Sequence, residues 1–284
     1  MQPQVKNVAS MAGRICLITG ASGGLGKATA LGLARLGASV IMACRDEARG
    51  EVDRAEVETT SGNREVQLVV LDLASQQSIR EVAARIKAER GRLDVLINNA
   101  SVFKGKRSVT PEGLETMFGT NHLGHFLLTN LLLDELKASP QARVITITAP
   151  STTRLNFDDL QGERKFNALS AFGASKMCNL LFTYELARRL AGTQVTSNAL
   201  HPGLMKSNLM SEAPAPIRWL TRLFSSTPER ASLSLLHLAS SPKLASVSGQ
   251  FFKGMKPSSS SAYSRDEQVQ RRLWDVSAQL VGFN

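Results

Sequence analysis

Short, nearly continuous apolar runs recur along the chain, separated by longer amphipathic stretches. RICLIT (14–19) has the pattern of a strand buried on both faces of a parallel sheet, and SVIMAC (39–44), EVQLVVL (65–71), LDVLI (93–97), RVITIT (143–148) and QVTSNAL (194–200) read as further strands. Between them the apolar period lengthens to that of helices. The pattern predicts helices from the mid-twenties to about Leu36, over 47–59, after Ser75, over 111–137, from near Ser170, and over 228–240 and 265–281. Strand alternating with helix predicts an α/β fold with a parallel sheet covered on both faces. No long Ser/Pro/Gly linker divides residues 1–284, so a single domain is expected, and the run from Pro257 to Ala262 reads as a surface loop. The stretch 205–226 carries Pro214, Pro216, Trp219, Leu223 and Phe224. It reads as a candidate substrate lid or as a plain surface helix-loop.

The first strand runs directly into a glycine-rich turn, TGASGGLG (19–26), and then into a helix. Glycines at 20, 24 and 26 permit a tight turn and close backbone approach to a pyrophosphate, and the helix N-terminus offers free N–H groups and a favourable dipole. Arg45 follows the second strand, where a cation suits the 2′-phosphate of NADP(H) and an acid would suit the ribose of NAD(H). Asp46 reads either as that acid or as the N-cap of the next helix. Asp72 and Leu73 close the third strand beside the expected position of an adenine ring. Asn98 and Asn99 end the fourth strand, where they can fix neighbouring backbone and line a cleft. Asn121 falls in mid-helix, which is mildly unfavourable and calls for a compensating contact. His122 and His125 have a metal-compatible spacing but no third ligand, so both read as non-metal histidines.

Composition narrows the function classes. With 43% hydrophobic and 20% charged residues the chain reads as a soluble globular protein. The net charge of +10 is dispersed, without basic blocks or aromatic interleaving, so a nucleic-acid partner is not expected. A basic surface that attracts a phosphate-rich cofactor is the milder reading. The start of the chain has no apolar run of signal-peptide or membrane-span type. Cys16, Cys44 and Cys178 lack metal-like spacing and read as buried reduced thiols, consistent with a cytoplasmic protein.

TGASGGLG, NNAS (98–101), TNHLGHF (120–126), FGASK (172–176) and HPGLMKS (201–207) stand in the order and spacing of the short-chain dehydrogenase/reductases, which the chain resembles over about residues 12–282. CRD (44–46), LNFDDL (155–160), LLFTYELARRL (180–190) and LWDVS (273–277) resemble the retinol-dehydrogenase-like branch, and light-dependent protochlorophyllide reductases are a more distant likeness. The resemblance implies a Rossmann-like, doubly wound, seven-stranded parallel sheet that binds NADP(H), or less readily NAD(H). It implies a small apolar carbonyl or alcohol substrate. It also implies a homodimer or homotetramer formed through the helices that carry Asn121 and Phe172. By position it places Gly20, Ser22, Gly24, Leu25 and Gly26 on the pyrophosphate and Asp72 and Leu73 on the adenine. Asn99 and Ala100 fall near the ribose, and Pro202, Gly203 and Ser207 near the nicotinamide. Ser101 stands where the family usually has Gly.

In the family a Tyr phenol exchanges the proton, a Lys lowers the phenol pKa and holds the ribose, a Ser orients the carbonyl oxygen, and an Asn anchors a relay water. Lys176 and Asn121 match the Lys and the Asn. The Tyr position holds Phe172 and the Ser position holds Ala149. Loss of a positioned general acid costs ~10²–10⁴-fold in rate and loss of an oxyanion donor ~10²–10³. The sequence leaves several readings open: an oxidoreductase with an altered proton relay, a non-redox cyclase, isomerase or lyase on the same fold, a non-catalytic cofactor-binding sensor, or an inactivated Ser→Ala/Tyr→Phe variant. Thr148, Ser151, Ser170, Ser175, His201 and Tyr263 are the candidates for a substitute proton donor.

Overall fold

The computed structural model describes residues 9–203, 209, 212 and 226–283. Strands and helices alternate as β1 (Ile15–Thr19), α1 (Gly24–Arg35), β2 (Ser39–Cys44), α2 (Glu47–Ser61), β3 (Val66–Val70), α3 (Gln76–Arg90) and β4 (Val95–Asn98). A broken helix, α4, follows. It begins at Thr116–Phe118, widens into a π turn over Gly119–Leu123 and resumes over Gly124–Leu131, with a short helical piece at Leu133–Lys137 after it. Then come β5 (Ala142–Ile147), α5 (Ala168–Arg189), β6 (Val195–His201), α6 (Pro228–Ser240), β7 (Gln250–Lys253), β8 (Lys256–Ser258) and α7 (Glu267–Leu280).

The sheet order is β3-β2-β1-β4-β5-β6-β7-β8. Every neighbouring pair from β3 to β7 is parallel, and β8 adds an antiparallel edge to β7. The expected seven parallel strands are therefore joined by an eighth short one. Its middle residue is Pro257, which an edge strand tolerates, so the predicted surface loop begins as sheet. The order reverses between β1 and β4, and this opens a crevice at the carboxyl ends of the strands.

Strand side chains alternate between two cores. Cys16, Ile18, Val40 and Met42 pack with α1 and α6, while Leu17, Ile41, Leu96 and Val144 pack with α3, α4 and α5. Burial on both faces explains why these strands read as unbroken apolar runs. The three thiols lie where the sequence places them, buried and unpaired. Helix entries are capped by side chains that the sequence makes recognisable. Asp46 accepts from Arg49 N, Ser75 from Ser78 N and Asn167 from Ser170 N. The predicted helix over 111–137 is corrected at both levels, since 111–115 is a turn and the remainder is broken at Asn121. Among the described residues no helix is long and apolar enough to cross a membrane.

Candidate active site and nucleotide cleft

A cleft of about 820 Å³ opens at the carboxyl ends of β1, β2, β3 and β4. Gly20, Ser22, Gly24, Leu25 and Gly26 wall it from the first turn, Arg45 from the end of β2, Asp72 and Leu73 from the end of β3, and Asn99, Ala100 and Ser101 from the end of β4. The turn at its base is very close-packed. A Cβ on Gly26 would lie 2.1 Å from the Gly20 carbonyl oxygen, so only glycine lets α1 start so close to β1. Asn99 ties the turn down, its Nδ2 donating to the carbonyls of Thr19 (2.8 Å) and Gly20 (3.1 Å). Asp72 serves two roles, lining the cleft while its carboxylate accepts from Ala74 N at the entry to α3.

Sequence reasoning passed over Thr19, whose hydroxyl is the hub of the cleft floor. Thr19 Oγ1 accepts from Asn99 N (2.9 Å) and Ala100 N (3.1 Å), which uses both its lone pairs. Its proton therefore goes to the nearest acceptor, His125 Nε2 at 2.9 Å. His125 must then carry its own proton on Nδ1 and donate it to the Asn121 carbonyl at 3.0 Å. Burial holds the His125 pKa down to about 4, so the imidazole stays neutral. His122 is equally buried, and its Nε2 meets Ser277 Oγ at 2.8 Å. Among the described residues no group of three or more His, Cys, Asp and Glu side chains could hold a metal ion.

Asn121 has the compensation that a mid-helix Asn calls for. Its Oδ1 accepts from Val102 N (2.7 Å) while its Nδ2 donates to Val102 O (3.0 Å) and to Ser175 Oγ (3.1 Å). The π turn across Gly119–Leu123 aims the side chain at that loop.

Lys176 lies on α5 one turn beyond Phe172 and is 4% exposed. Burial lowers its pKa to about 8. Among the described residues its ammonium has no hydrogen-bond partner, and it lies 5.4 Å from the centre of the Phe172 ring. Phe172 packs edge-on against Phe103 at 5.6 Å, in an apolar cluster with Phe166, Met117 and Leu209. Ala149 follows β5 at the same carboxyl edge and is half-buried. Asn121, Ala149, Phe172, Lys176, Pro202 and Gly203 thus stand beyond the cleft walls described above. Ser207 lies outside the described residues, as does most of the predicted lid, although Leu209 reaches the cleft and Glu212 bridges to Lys104 at 3.0 Å.

The candidate substitute donors are mostly engaged. Thr148 Oγ1 donates to the Lys176 carbonyl (2.7 Å), Ser151 Oγ to Gly173 O (2.9 Å) and Ser175 Oγ to Phe172 O (2.8 Å). Tyr263 accepts from Leu155 N at 3.1 Å and packs under Arg154. Burial lowers the pKa of His201.

A doubly wound sheet with a glycine-walled cleft at its topological switch point defines a dinucleotide-binding α/β protein. Within that class the chain belongs to the short-chain dehydrogenase family, whose model matches residues 14–217, and its likeness is to the retinol-dehydrogenase-like branch. It is 44% identical to human retinol dehydrogenase 13 over 288 residues, covering 96% of this chain and 86% of the relative. A crystal structure of an uncharacterised protein from Mycobacterium paratuberculosis superposes with a TM-score of 0.80 at 33% identity, over 99% of this chain and 98% of that one. The Pseudomonas aeruginosa RhlG/NADP active-site complex aligns with a TM-score of 0.71 at 26% identity, over 87% and 97%.

Proposed function

We propose that the chain is an NADP(H)-dependent oxidoreductase that interconverts an apolar carbonyl and its alcohol, with a water held by Lys176 and Asn121 exchanging the proton in place of the missing phenol. The observation that carries this reading is the Lys176 ammonium, buried and unpartnered among the described residues, on the same edge as a fully braced Asn121. A non-catalytic surface would gain nothing from burying an unpaired cation. The residues present fit a dinucleotide, because the Gly20–Gly26 turn is closed against its own backbone and opens onto a cleft of about 820 Å³. Gly20, Ser22, Gly24, Leu25 and Gly26 would hold its pyrophosphate, Arg45 its 2′-phosphate, Asp72 and Leu73 its adenine, and Asn99, Ala100 and Lys176 its riboses. Pro202, Gly203 and Ser207 would adjoin the nicotinamide, which supplies the hydride when bound.

Phe172 and Phe103 make an apolar wall and Ala149 adds no donor, so the substrate oxygen meets no protein hydroxyl there. The site suits an apolar alcohol or aldehyde, and the named relatives make a retinoid the first to assay. The test follows NADPH absorbance with retinaldehyde and other apolar aldehydes and ketones, comparing the parent with Ala149→Ser/Phe172→Tyr. The double variant is expected to be faster by ~10²–10⁴-fold. Equal rates in the two proteins, or a parent rate that survives Lys176→Ala, would overturn this relay.

A second reading, a cofactor-binding protein without catalysis, is favoured by the engagement of Thr148, Ser151 and Ser175 in backbone hydrogen bonds. It requires NADPH binding with no product from any substrate in that panel.

A further inference from the structure

A second cavity, of about 280 Å³, lies on the side of α5 away from Lys176. Ala174, Ser175 and Cys178 line it from one stripe of that helix, whereas Phe172 and Lys176 lie well round the axis from the stripe. Phe118 closes the cavity from α4, and Leu155 and Phe166 close it from the segment between β5 and α5. Among the described residues it shares no lining residue with the nucleotide cleft.

Hydrogen bonds brace its walls apart. Leu155 N donates to Tyr263 Oη at 3.1 Å. On the opposite side Gln161 Oε1 accepts from Glu115 N (3.0 Å), and Gln161 O accepts from Arg107 Nε (3.0 Å), which pins the segment to the approach to α4. Between these anchors Asp159 accepts from the backbone N–H groups of Glu163, Arg164 and Lys165. An apolar floor under walls held in this way is a preformed pocket rather than loose packing.

The charges around it are unequally engaged. Both carboxylates that line the cavity are committed to backbone: Asp159 as above, and the buried Glu115 to Met117 N (2.9 Å) and Phe118 N (2.7 Å). The two lining cations, Arg154 and Lys165, are exposed at the mouth, and neither has an ion-pair partner among the described residues. Arg154 is held in place by the Tyr263 ring, whose centre lies 5.4 Å from the guanidinium carbon.

We infer that this cavity is a second binding site, for a small apolar carboxylate whose tail lies against Phe118 and Cys178 and whose head meets Arg154 and Lys165. A neutral ligand would leave both cations unanswered, and a cationic one would be repelled by them. The inference is independent of the NADP(H) reading.

The test is titration calorimetry of the full chain with octanoate, octan-1-ol and octylamine, three ligands with one tail. Octanoate is expected to bind at one site per chain, with the alcohol weaker by on the order of 10-fold and the amine weaker still. Ala174→Phe fills the cavity and is expected to abolish octanoate binding. Arg154→Glu/Lys165→Glu, at exposed positions, is expected to remove the preference for the acid and leave the alcohol unchanged. Thermal unfolding checks that each free variant is folded, and if Ala174→Phe is not, the charge variant decides. An alcohol or amine that binds as tightly as octanoate, or a parent that binds no octanoate, would overturn the inference. So would octanoate binding that survives these variants and is lost in Lys176→Met, because the carboxylate would then sit in the active site.

Discussion

Lys176 faces a phenyl ring where the family places a phenol, and this changes what the lysine can do. An ammonium 5.4 Å from a ring centroid gains a modest cation–π attraction but no hydrogen bond. Burial therefore dominates, and the Lys176 pKa is lowered to about 8. A nucleotide that contacts the charged form should bind best below that value. NADPH affinity, followed by titration calorimetry, is expected to fall as pH rises through about 8, with Lys176→Met removing that step. An unchanged profile in the variant would assign the titration to another group. His125 teaches a related lesson at residue scale. Its tautomer follows from counting the lone pairs of Thr19, a partner 106 positions away in the chain. No local motif announces that pairing, whereas Gly26 and Asn99 were legible because their roles are written into the glycine-rich turn and the strand end.

Among the elements, α4 departs furthest from sequence expectation. Apolar periodicity ran unbroken through TNHLGHFLL, because a π turn shifts the facing of a helix without interrupting its hydrophobic character. β7 and β8 are four and three residues long, too short and too polar to stand out as strands. α7 was legible as an amphipathic helix, but not its berth. It lies across α4 and α5, with Trp274 4.8 Å from Phe126 and 5.9 Å from Phe182, and Arg189 over its ring at 4.3 Å. Arg80 donates to Val281 O at 2.6 Å, which fixes its end to α3. These are the helices through which family resemblance implies dimerisation, and α7 covers them from within the chain. Light scattering is accordingly expected to report a monomer. Trp274→Ala is expected to cost about 3–5 kcal/mol of stability in urea titrations. A loss below about 1 kcal/mol would mean α7 is only loosely docked.

For the molecule as a whole, the two buried histidines make folding sensitive to acid. Burial lowers the His122 pKa to about 3 and that of His125 to about 4, against 6.5 for the unperturbed ring. The unfolded chain therefore binds protons that the folded chain refuses. Their contribution to stability is complete above pH 6.5 and declines as pH falls towards the folded values. With both rings titrating, the decline is steeper than a single histidine would give, each ring adding on the order of 1 kcal/mol per pH unit. Urea midpoints measured between roughly pH 7.5 and 4.5 should fall accordingly. A flat profile would show that water reaches these rings in the folded state.

The sequence alone determined the alternation of buried strands and amphipathic helices, the glycine-rich turn, and the absence of a hydroxyl at positions 149 and 172. Each of these is a local property, fixed by periodicity or by side-chain identity. Tertiary structure decided what depends on distant partners meeting. It set Arg49 over Gly23, tied Asn121 to Val102, and laid α7 over α4 and α5. Those outcomes follow from packing and from the need to satisfy every buried polar group, and neither constraint is expressed in the spacing of residues along the chain.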